Sequence, residues 1–306
     1  MTKLIATSVV RGSNQGESHG GAFIVDLETQ EITQKLDWNN ADIDWQGRGW
    51  DRGLRGIAIH KESVYIAASD ELFVYDKTFK LIASYKNQYL KHCHEITVFK
   101  DSLFITSTGF DSLLAFHLEK KVFHWALHIE TDGFNFSATT FNPQDDKGPM
   151  QLNKLHLNNV FCNQDGLYVS GLHSGGLLHF NGSKISMSVS LPAGTHNAQP
   201  YKNGVLFNDT KSDVVRYVSR DETEDRAFNV PQFAVDTLTA VNLDESGIAR
   251  ASFGRGLCIV GNGVIAAGSS PSTIAIHDLN QNVTGVVINM TTDVRHAIHG
   301  LEIWPF

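Results

Sequence analysis

The sequence has little of what marks membrane, disulfide-rich or nucleic-acid-binding proteins. It contains no run of 18 or more apolar residues, so it predicts no membrane span. Its three cysteines lie far apart and form no Cys-x-x-Cys pair, which argues against a disulfide framework and a cysteine zinc site. With 25 basic and 33 acidic residues, it lacks the basic excess of a general nucleic-acid binder. The amino terminus shows no signal peptide, and together with the cysteines this predicts a cytoplasmic protein.

Long amphipathic helices and common catalytic motifs are also missing. No glycine-rich nucleotide-binding loop, paired-histidine zinc helix or serine-hydrolase elbow is found in the sequence. Short, alternating apolar runs fill the chain instead, and this pattern predicts β-strands nearly throughout.

Six segments of the chain share one form: an arginine or histidine, a short apolar strand, a tight turn and a second apolar strand. Five copies follow one another, and the sixth is split between a first strand at His299 and a second strand from Leu4 to Val9. With third and fourth strands following, the pattern predicts an all-β, six-bladed β-propeller in a single domain over residues 1–306. Its carboxyl-terminal inner strand would pair with the amino-terminal strands of the same blade, which removes a free sheet edge. A β-sandwich or tandem barrels would leave the split copy unexplained.

Three of the links between blades are long, at residues 37–54, 130–155 and 219–254. In a propeller the inner strands all start at one face near the axis, and these links lie on that face. Loops of more than about a dozen residues in a compact domain are usually functional or disordered. We expect the three links to cap the axis, with exposed decoration as the alternative.

The residues that begin the inner strands form one column when the six copies are aligned. In chain order the column reads Arg55, His94, His156, His196, Arg255 and His299. Neutral imidazoles that converge on an axis can bind a first-row transition metal. We therefore predict a divalent metal held by some or all of the four histidines, with iron first and copper, zinc, nickel or manganese as other candidates. The alternative is a hydrogen-bonded or water-filled axis.

Two arginines of the column, Arg55 and Arg255, are each followed by glycine. Two guanidinium groups facing one funnel favour a carboxylate, phosphate or sulfate on a small anionic substrate, with ion pairs inside the protein as the alternative. Polar residues near the same face complete the predicted substrate contacts, namely His173, Asn159 and Asn197.

Two carboxylates lie close to the column in sequence. Glu95 follows His94, and Glu302 comes three residues after His299. Either one could orient an imidazole through its second nitrogen, or act as a general base. We take Glu95 and Glu302 as the candidate catalytic residues.

Four blade openings resemble those of an uncharacterised bacterial family of six-bladed propellers. They read His-Glu-Ile at His94, His-Leu-Asn-Asn at His156, Thr-His-Asn at Thr195 and Gly-Arg-Gly-Leu at Gly254. The resemblance spans most of the chain and implies the fold without an activity.

More distantly, the chain looks like the gluconolactonase and regucalcin group, which implies six blades and calcium held by acidic and asparagine oxygens. Asn158 and Asn197 match that pattern, whereas the four histidines do not. The histidine ring is similar to that of the carotenoid-cleaving oxygenases, which implies iron on a propeller axis. Propeller uronate lyases, with histidines, a metal and an arginine, are a further analogy.

These observations lead to two classes of function. The first is a metalloenzyme acting on a small anionic substrate, with oxygenase or redox chemistry foremost and lyase or hydrolase chemistry second. The other class is a non-catalytic binding module in which the histidines are structural. No nucleic-acid or membrane partner is expected.

Overall fold

The computed structural model describes residues 2–14, 16–39, 53–221, 224–241 and 249–306. Within them, the chain forms six antiparallel sheets. Short 3-10 turns lie at Thr108–Phe110 and Val235–Thr237. The predicted six-bladed β-propeller is confirmed.

The strands follow one another in chain order from the innermost to the outermost of each blade. The first three are β1 (Lys3–Val10), β2 (Gly21–Asp26) and β3 (Ile32–Asp37). Blade 1 holds β4 (Ile57–His60), β5 (Ser63–Ala68), β6 (Glu71–Asp76) and β7 (Leu81–Lys86). Blade 2 holds β8 (Cys93–Phe99), β9 (Ser102–Ser107), β10 (Ser112–His117), β11 (Val122–Thr131) and β12 (Phe136–Phe141). Blade 3 holds β13 (Leu157–Asn163), β14 (Gly166–Gly171), β15 (Gly176–Phe180) and β16 (Ile185–Ser190).

The remaining strands complete the ring. Blade 4 holds β17 (Thr195–Tyr201), β18 (Gly204–Asp209), β19 (Val214–Ser219) and β20 (Arg226–Asn229). Blade 5 holds β21 (Leu257–Gly261), β22 (Val264–Ser269), β23 (Thr273–Asp278) and β24 (Val283–Asn289). Blade 6 is β25 (His296–Trp304) followed in space by β1, β2 and β3.

The closure of the ring depends on the pairing of β25 with β1. These strands run antiparallel, with Lys3 opposite Trp304 and Val10 opposite His296. The N–H of Gly300 also donates to Oγ1 of Thr7 at 2.9 Å. The last strand of the chain is therefore the inner strand of a blade whose other strands come from the first 37 residues.

The hydrophobic core lies between neighbouring blades. Tyr65 and Leu72 of blade 1, for example, belong to one cluster with Leu103, Ile105 and Phe116 of blade 2. Because the middle strands pack on both faces, they are buried along nearly their whole length, as in β1 and β5. Outermost strands such as β7 have one solvent face and alternate between exposed and half-buried residues. Burying each large apolar side chain contributes about 1.5–3 kcal/mol to folding.

The expectation that residues 130–155 form a loop over the axis is wrong for Phe136–Phe141. This stretch is β12, a fifth strand that pairs with β11 at the outer edge of blade 2. The Thr and Phe residues of this stretch favour a β-strand, and the backbone N–H and C=O groups at the outer edge of β11 pair with it. The expected loop at 219–254 is likewise wrong for Arg226–Asn229, which form β20, the outer strand of blade 4. Most of the link at 37–54, and part of that at 219–254, lies outside the described residues.

Across the part of the chain that the structure describes, no helix has the length and apolar character needed to cross a membrane.

Candidate functional site

The axis of the propeller encloses a cavity of about 240 Å³ between the inner strands. Its polar lining comes from the inner strands of blades 2 to 6, namely Glu95, Thr97, Asn159, Asn197, Gln199, Cys258 and Glu302. Apolar residues such as Ile57, Phe161 and Leu257 fill the rest of the wall. The predicted catalytic residues Glu95 and Glu302 thus share one cavity.

In blades 2, 3, 4 and 6 the inner strand bulges where the column lies, whereas Arg55 and Arg255 come just before β4 and β21. In blade 2 the register shifts between Cys93 and Ile96, and in blade 4 it shifts between His196 and Gln199. In blade 3 the shift falls between Leu157 and Asn159. Counted from these bulges, the blade 3 residue equivalent to His94 and His196 is Asn158.

The sequence alignment therefore placed His156 two residues out of register. His156 is half-buried, and its ring centroid lies 5.4 Å from that of His94. Asn158 is buried and donates from Nδ2 to the carbonyl oxygen of Thr195 at 3.2 Å. The corrected column reads Arg55, His94, Asn158, His196, Arg255 and His299.

The two arginines of the column donate hydrogen bonds to histidines of the next blade. Nη1 of Arg55 lies 2.7 Å from Nε2 of His94, and Nη1 of Arg255 lies 2.8 Å from Nε2 of His299. A guanidinium is a donor only, so both Nε2 atoms act as acceptors and both imidazoles carry their proton on Nδ1. Burial and the nearby arginines hold the pKa of His94 and His299 well below its ordinary value of 6.5.

Two threonines fix the orientation of two histidines. Thr210 Oγ1 donates to the carbonyl oxygen of Gly254 at 2.8 Å and lies 2.9 Å from Nδ1 of His196. The hydroxyl therefore accepts from Nδ1–H, which leaves a lone pair on Nε2 of His196. That Nε2 is buried and has no hydrogen-bond partner among the described residues. Thr108 plays the same part for His94, at 2.8 Å from its Nδ1.

The column also connects neighbouring blades. Hydrogen bonds from this layer cross each of the six seams of the ring, in order from blade 6: Thr7 to Arg55 O, Arg55 to His94, Thr108 to Leu157 O, Asn158 to Thr195 O, Thr210 to Gly254 O, and Arg255 to His299. These bonds give the column a structural role that does not depend on any ligand.

Glu95 lies on the cavity side of this layer. Its Oε1 accepts a hydrogen bond from Nδ2 of Asn197 at 3.1 Å and lies 3.6 Å from Nδ1 of His299. Burial raises the pKa of Glu95 to about 7, while Asn197 and the positive charges of Arg255 and Arg55 act to lower it. A buried carboxyl that is half protonated near neutral pH is suited to general acid–base work.

Glu302 is the second carboxyl of the cavity. Its Oε1 accepts from the backbone N–H of Ile303 at 2.8 Å and lies 4.0 Å from Sγ of Cys258. Burial raises the pKa of Glu302 and also that of the Cys258 thiol, so Cys258 stays a neutral thiol.

The remaining predicted residues are divided between this site and the surface. Asn159 lines the cavity and donates from Nδ2 to the carbonyl oxygen of Ala198 at 2.6 Å. His173 is exposed on the turn after β14 and does not line the cavity. Arg55 and Arg255 are buried in the layer beside the cavity, and neither lines it.

Sequence reasoning missed Asn208, Thr108 and Thr210. A signal for the threonines was present, because Thr108 follows His94 by 14 residues and Thr210 follows His196 by 14 residues. For Asn208, which reaches Asn197 from the adjacent strand, we find no comparable sequence pattern.

The predicted four-histidine metal centre finds little support in this geometry. Among the described residues, no group of three or more His, Cys, Asp or Glu side chains is arranged to hold a metal ion. The Nε2 atoms of His94 and His299 already accept from arginines, and a metal on either atom would have to displace a guanidinium. His196 offers the one histidine Nε2 in the described part of the column that has no hydrogen-bond partner.

Comparison with known proteins supports the propeller fold but assigns the chain to no family. No family model matches the chain, and no curated protein matches it. Among solved structures, a chain of a nidogen–laminin complex is similar with 9% identity and a TM-score of 0.61, over 99% of this chain and 98% of that one. A protein of unknown function from Bacteroides caccae is similar with 11% identity and a TM-score of 0.61, over 100% and 99%.

Another similar structure is a catalytically inactive virginiamycin B lyase from Staphylococcus aureus with quinupristin. It has 12% identity and a TM-score of 0.48, over 80% of this chain and 72% of that one. Likeness at these levels of identity concerns the course of the chain alone, since unrelated functions share the propeller fold.

Proposed function

We propose that the protein is a cytoplasmic acid–base enzyme of the lyase or hydrolase class, with Glu95 as its proton-transfer group and a small anionic substrate in the axial cavity. One observation carries the proposal: the half-buried carboxyl of Glu95 lies in the wall of a cavity of about 240 Å³, and burial raises its pKa to about 7. Such a group exchanges protons in both directions near neutral pH.

The hydrogen bonds of Glu95 indicate which oxygen reacts. Asn197 donates to Oε1, and the protonated Nδ1 of His299 faces the same oxygen. The hydrogen bond from Asn197 and the nearby N–H of His299 favour negative charge on Oε1, so the proton of the neutral form resides on Oε2. No described residue is seen to hydrogen-bond Oε2, which leaves that oxygen for a substrate in the cavity.

The two reaction classes use the same proton transfer. In an elimination, Oε2 removes the proton next to the substrate carboxylate, a carbon–carbon double bond forms, and the leaving group departs with the electrons of its bond. In a hydrolysis, Oε2 takes a proton from water as the water oxygen bonds to the carbonyl carbon of an ester or lactone, and the ester C–O bond then breaks with its electrons on the leaving oxygen. Glu302, whose pKa is also raised, is the second carboxyl that could protonate the leaving group.

The preference for an anionic substrate comes from the two buried guanidinium groups. Neither Arg55 nor Arg255 lines the cavity, yet the charge of each acts on the carboxyl of Glu95. Their positive potential therefore extends into the cavity, where a low dielectric strengthens the attraction of a carboxylate.

A metal centre is the second candidate, favoured by one observation. Nε2 of His196 is buried and carries a lone pair that has no hydrogen-bond partner among the described residues, and imidazole is a common ligand of transition metals. Metal content measured in the wild type and in His196→Ala tests it. Stoichiometric metal lost in that variant would favour the centre over metal-free chemistry.

The experiment that tests the proposed function is an activity screen of the full chain between pH 5 and 9, with and without a chelator. The panel consists of small hydroxy acids and uronates, their lactones and their esters. Glu95→Gln and Glu302→Gln are compared with the wild type, and Glu31→Gln on the exposed β2–β3 turn is the matched control.

We expect the wild type to turn over a substrate of this panel equally well with and without the chelator. Glu95→Gln should reduce the rate by about 100-fold or more, and Glu31→Gln should leave it unchanged. Turnover that survives in Glu95→Gln would overturn the assignment. Binding without turnover would favour the non-catalytic module.

A further inference from the structure

A chain of amide groups leads from the second strand of blade 4 to the carboxyl of Glu95. Nδ2 of Asn208 donates to Oδ1 of Asn197 at 3.0 Å, and Nδ2 of Asn197 donates to Oε1 of Glu95 at 3.1 Å. The backbone N–H of Gly256 donates to the same Oδ1 at 3.0 Å. These hydrogen bonds thus join blades 2, 4 and 5 across the axis.

This arrangement permits only one orientation of the Asn197 amide. Its Oδ1 receives two donors, one of which is a backbone N–H that cannot reverse its role. If the amide were turned over, its NH₂ would face two donors and its oxygen would face the carboxyl. Asn197 therefore presents an N–H to Glu95 at all times.

The backbone supports the same geometry. Asn197 has a φ of 53°, in the left-handed region that asparagine tolerates better than most residues. It lies in the bulge of β17, which turns its side chain across the axis towards blade 2. Asn208 is fully buried on the paired strand β18, so it holds Asn197 from a fixed position.

We propose that Asn208 is a positioning residue for Glu95, acting through Asn197, and that together they hold Oε1 as an acceptor and direct Oε2 into the cavity. The inference rests on the proposed function, because it assigns these amides to the same proton-transfer group. It adds a residue that has no contact with the cavity itself.

Three other charged or titratable groups act on Glu95, and the substitutions at Asn208 leave all three unchanged. His299 faces Oε1 at 3.6 Å, and Arg255 and Arg55 act through their charge. None of them is bonded to Asn208 in the contacts described here. A change at Asn208 therefore reaches Glu95 mainly through the orientation of Asn197.

The test is a carboxyl-carbon NMR titration of Glu95 in the full chain labelled at glutamate, with Glu95→Gln identifying the signal. Asn208→Ala is the main variant, and the nearly isosteric Asn208→Asp is used as well in case the smaller side chain disturbs folding. Asn158→Ala is the matched control, because Asn158 is an equally buried amide that bonds the carbonyl of Thr195 and does not contact Glu95.

We expect the pKa of Glu95 to rise by about half a unit or more in Asn208→Ala and Asn208→Asp, because only the Gly256 N–H then holds the Asn197 amide and its donor is less firmly placed against the carboxylate. Asn158→Ala should lower stability without moving that pKa. An unchanged pKa in both Asn208 variants, or an equal shift in Asn158→Ala, would overturn the proposal.

The same variants separate this inference from the proposed function. A shifted pKa with no turnover of any substrate would refute the catalytic function and leave the positioning intact. Turnover that is lost in Glu95→Gln but is identical in wild type and the Asn208 variants across the pH range would refute the positioning alone.

Discussion

Nη1 of Arg55 lies 2.7 Å from Nε2 of His94, across the seam between blades 1 and 2. The nitrogen that a metal would use in His94 is thereby the acceptor of a hydrogen bond from a permanent cation. Arg255 and His299 repeat the arrangement between blades 5 and 6. Arginine and histidine in this column thus form hydrogen-bonded pairs between blades.

Replacing Arg55 with leucine should lower the free energy of unfolding by about 2–3 kcal/mol, because it leaves Nε2 of His94 buried without a donor. Lys77→Leu, in an exposed ion pair with Glu62, should cost less than about 1 kcal/mol and serves as the control. Urea denaturation measures both. Equal stability of the two variants would show that the guanidinium does not support His94.

Thr210→Val should cost about 1–2 kcal/mol of stability, because it removes the bond to Gly254 and the acceptor for Nδ1 of His196. Thr210→Ser keeps the hydroxyl and should recover most of the loss. The exposed Thr139 on β12 offers a neutral comparison as Thr139→Val. If valine at position 210 were as stable as serine, the seam would not depend on this hydroxyl.

Stability should fall as the pH drops below about 6.5. His94, His196 and His299 have a lowered pKa when folded, so the unfolded chain binds protons first, and their contribution is full above pH 6.5 and lost on acidification. Each histidine adds at most about 1.4 kcal/mol per pH unit. In His196→Gln the dependence measured by urea denaturation between pH 5 and 7.5 should be shallower, and an unchanged slope would contradict the burial of a neutral imidazole.

Glu95 should act in the opposite direction. Its pKa is raised to about 7 in the folded state, so its contribution is full below its ordinary pKa of 4.5 and is lost as the pH rises through 7. The stability of the wild type relative to Glu95→Gln should therefore increase as the pH falls from 8 to 5. A difference between the two that does not vary with pH would mean that the carboxyl titrates normally.

A circular permutant should test the closure of the ring. Trp304 pairs with Lys3, so joining Phe306 to Met1 leaves four residues, Pro305, Phe306, Met1 and Thr2, between paired positions, a length common in hairpins. New termini between Gly182 and Ser183 fall in an exposed turn. We expect the permutant to retain its β-sheet circular dichroism and to unfold within about 2 kcal/mol of the parent. Deletion of β25 is the contrasting variant and should not fold.

The fold could be predicted from the sequence because the repeat is visible in residues that the ring makes equivalent. His299 at one end and Leu4 at the other belong to one blade, and the split copy in the sequence indicates this pairing. Arg55, His94, His196, Arg255 and His299 take part in one layer of hydrogen bonds between blades, at the places where the aligned copies begin.

The error at His156 has a physical cause. In blade 3 the place in the bulge is taken by Asn158, and a histidine happens to stand two residues earlier. A bulge depends on which backbone groups pair with the next strand, and those pairings are formed by residues far along the chain. The sequence of the strand does not show where it will bulge.

The pairing of the column was also beyond sequence reasoning. Arg55 and His94 are 39 residues apart, and Arg255 and His299 are 44 apart, so no local pattern connects them. The side chains could be assigned to the axis, but whether a guanidinium there meets a ligand or an imidazole depends on distances of a few tenths of an ångström. The raised pKa of Glu95 follows from the same packing and was equally inaccessible.

The closure of blade 6 by β25 also sets an order of events during synthesis. Gly300 bonds to Thr7, from which it is separated by 293 positions, so at a translation rate of about 5–20 residues per second β1 waits roughly 15–60 s for its partner. During that interval one edge of β1 is open, and its apolar residues lack the packing that the last strand supplies. The nascent chain therefore carries an unpaired strand edge at β1 until β25 has emerged.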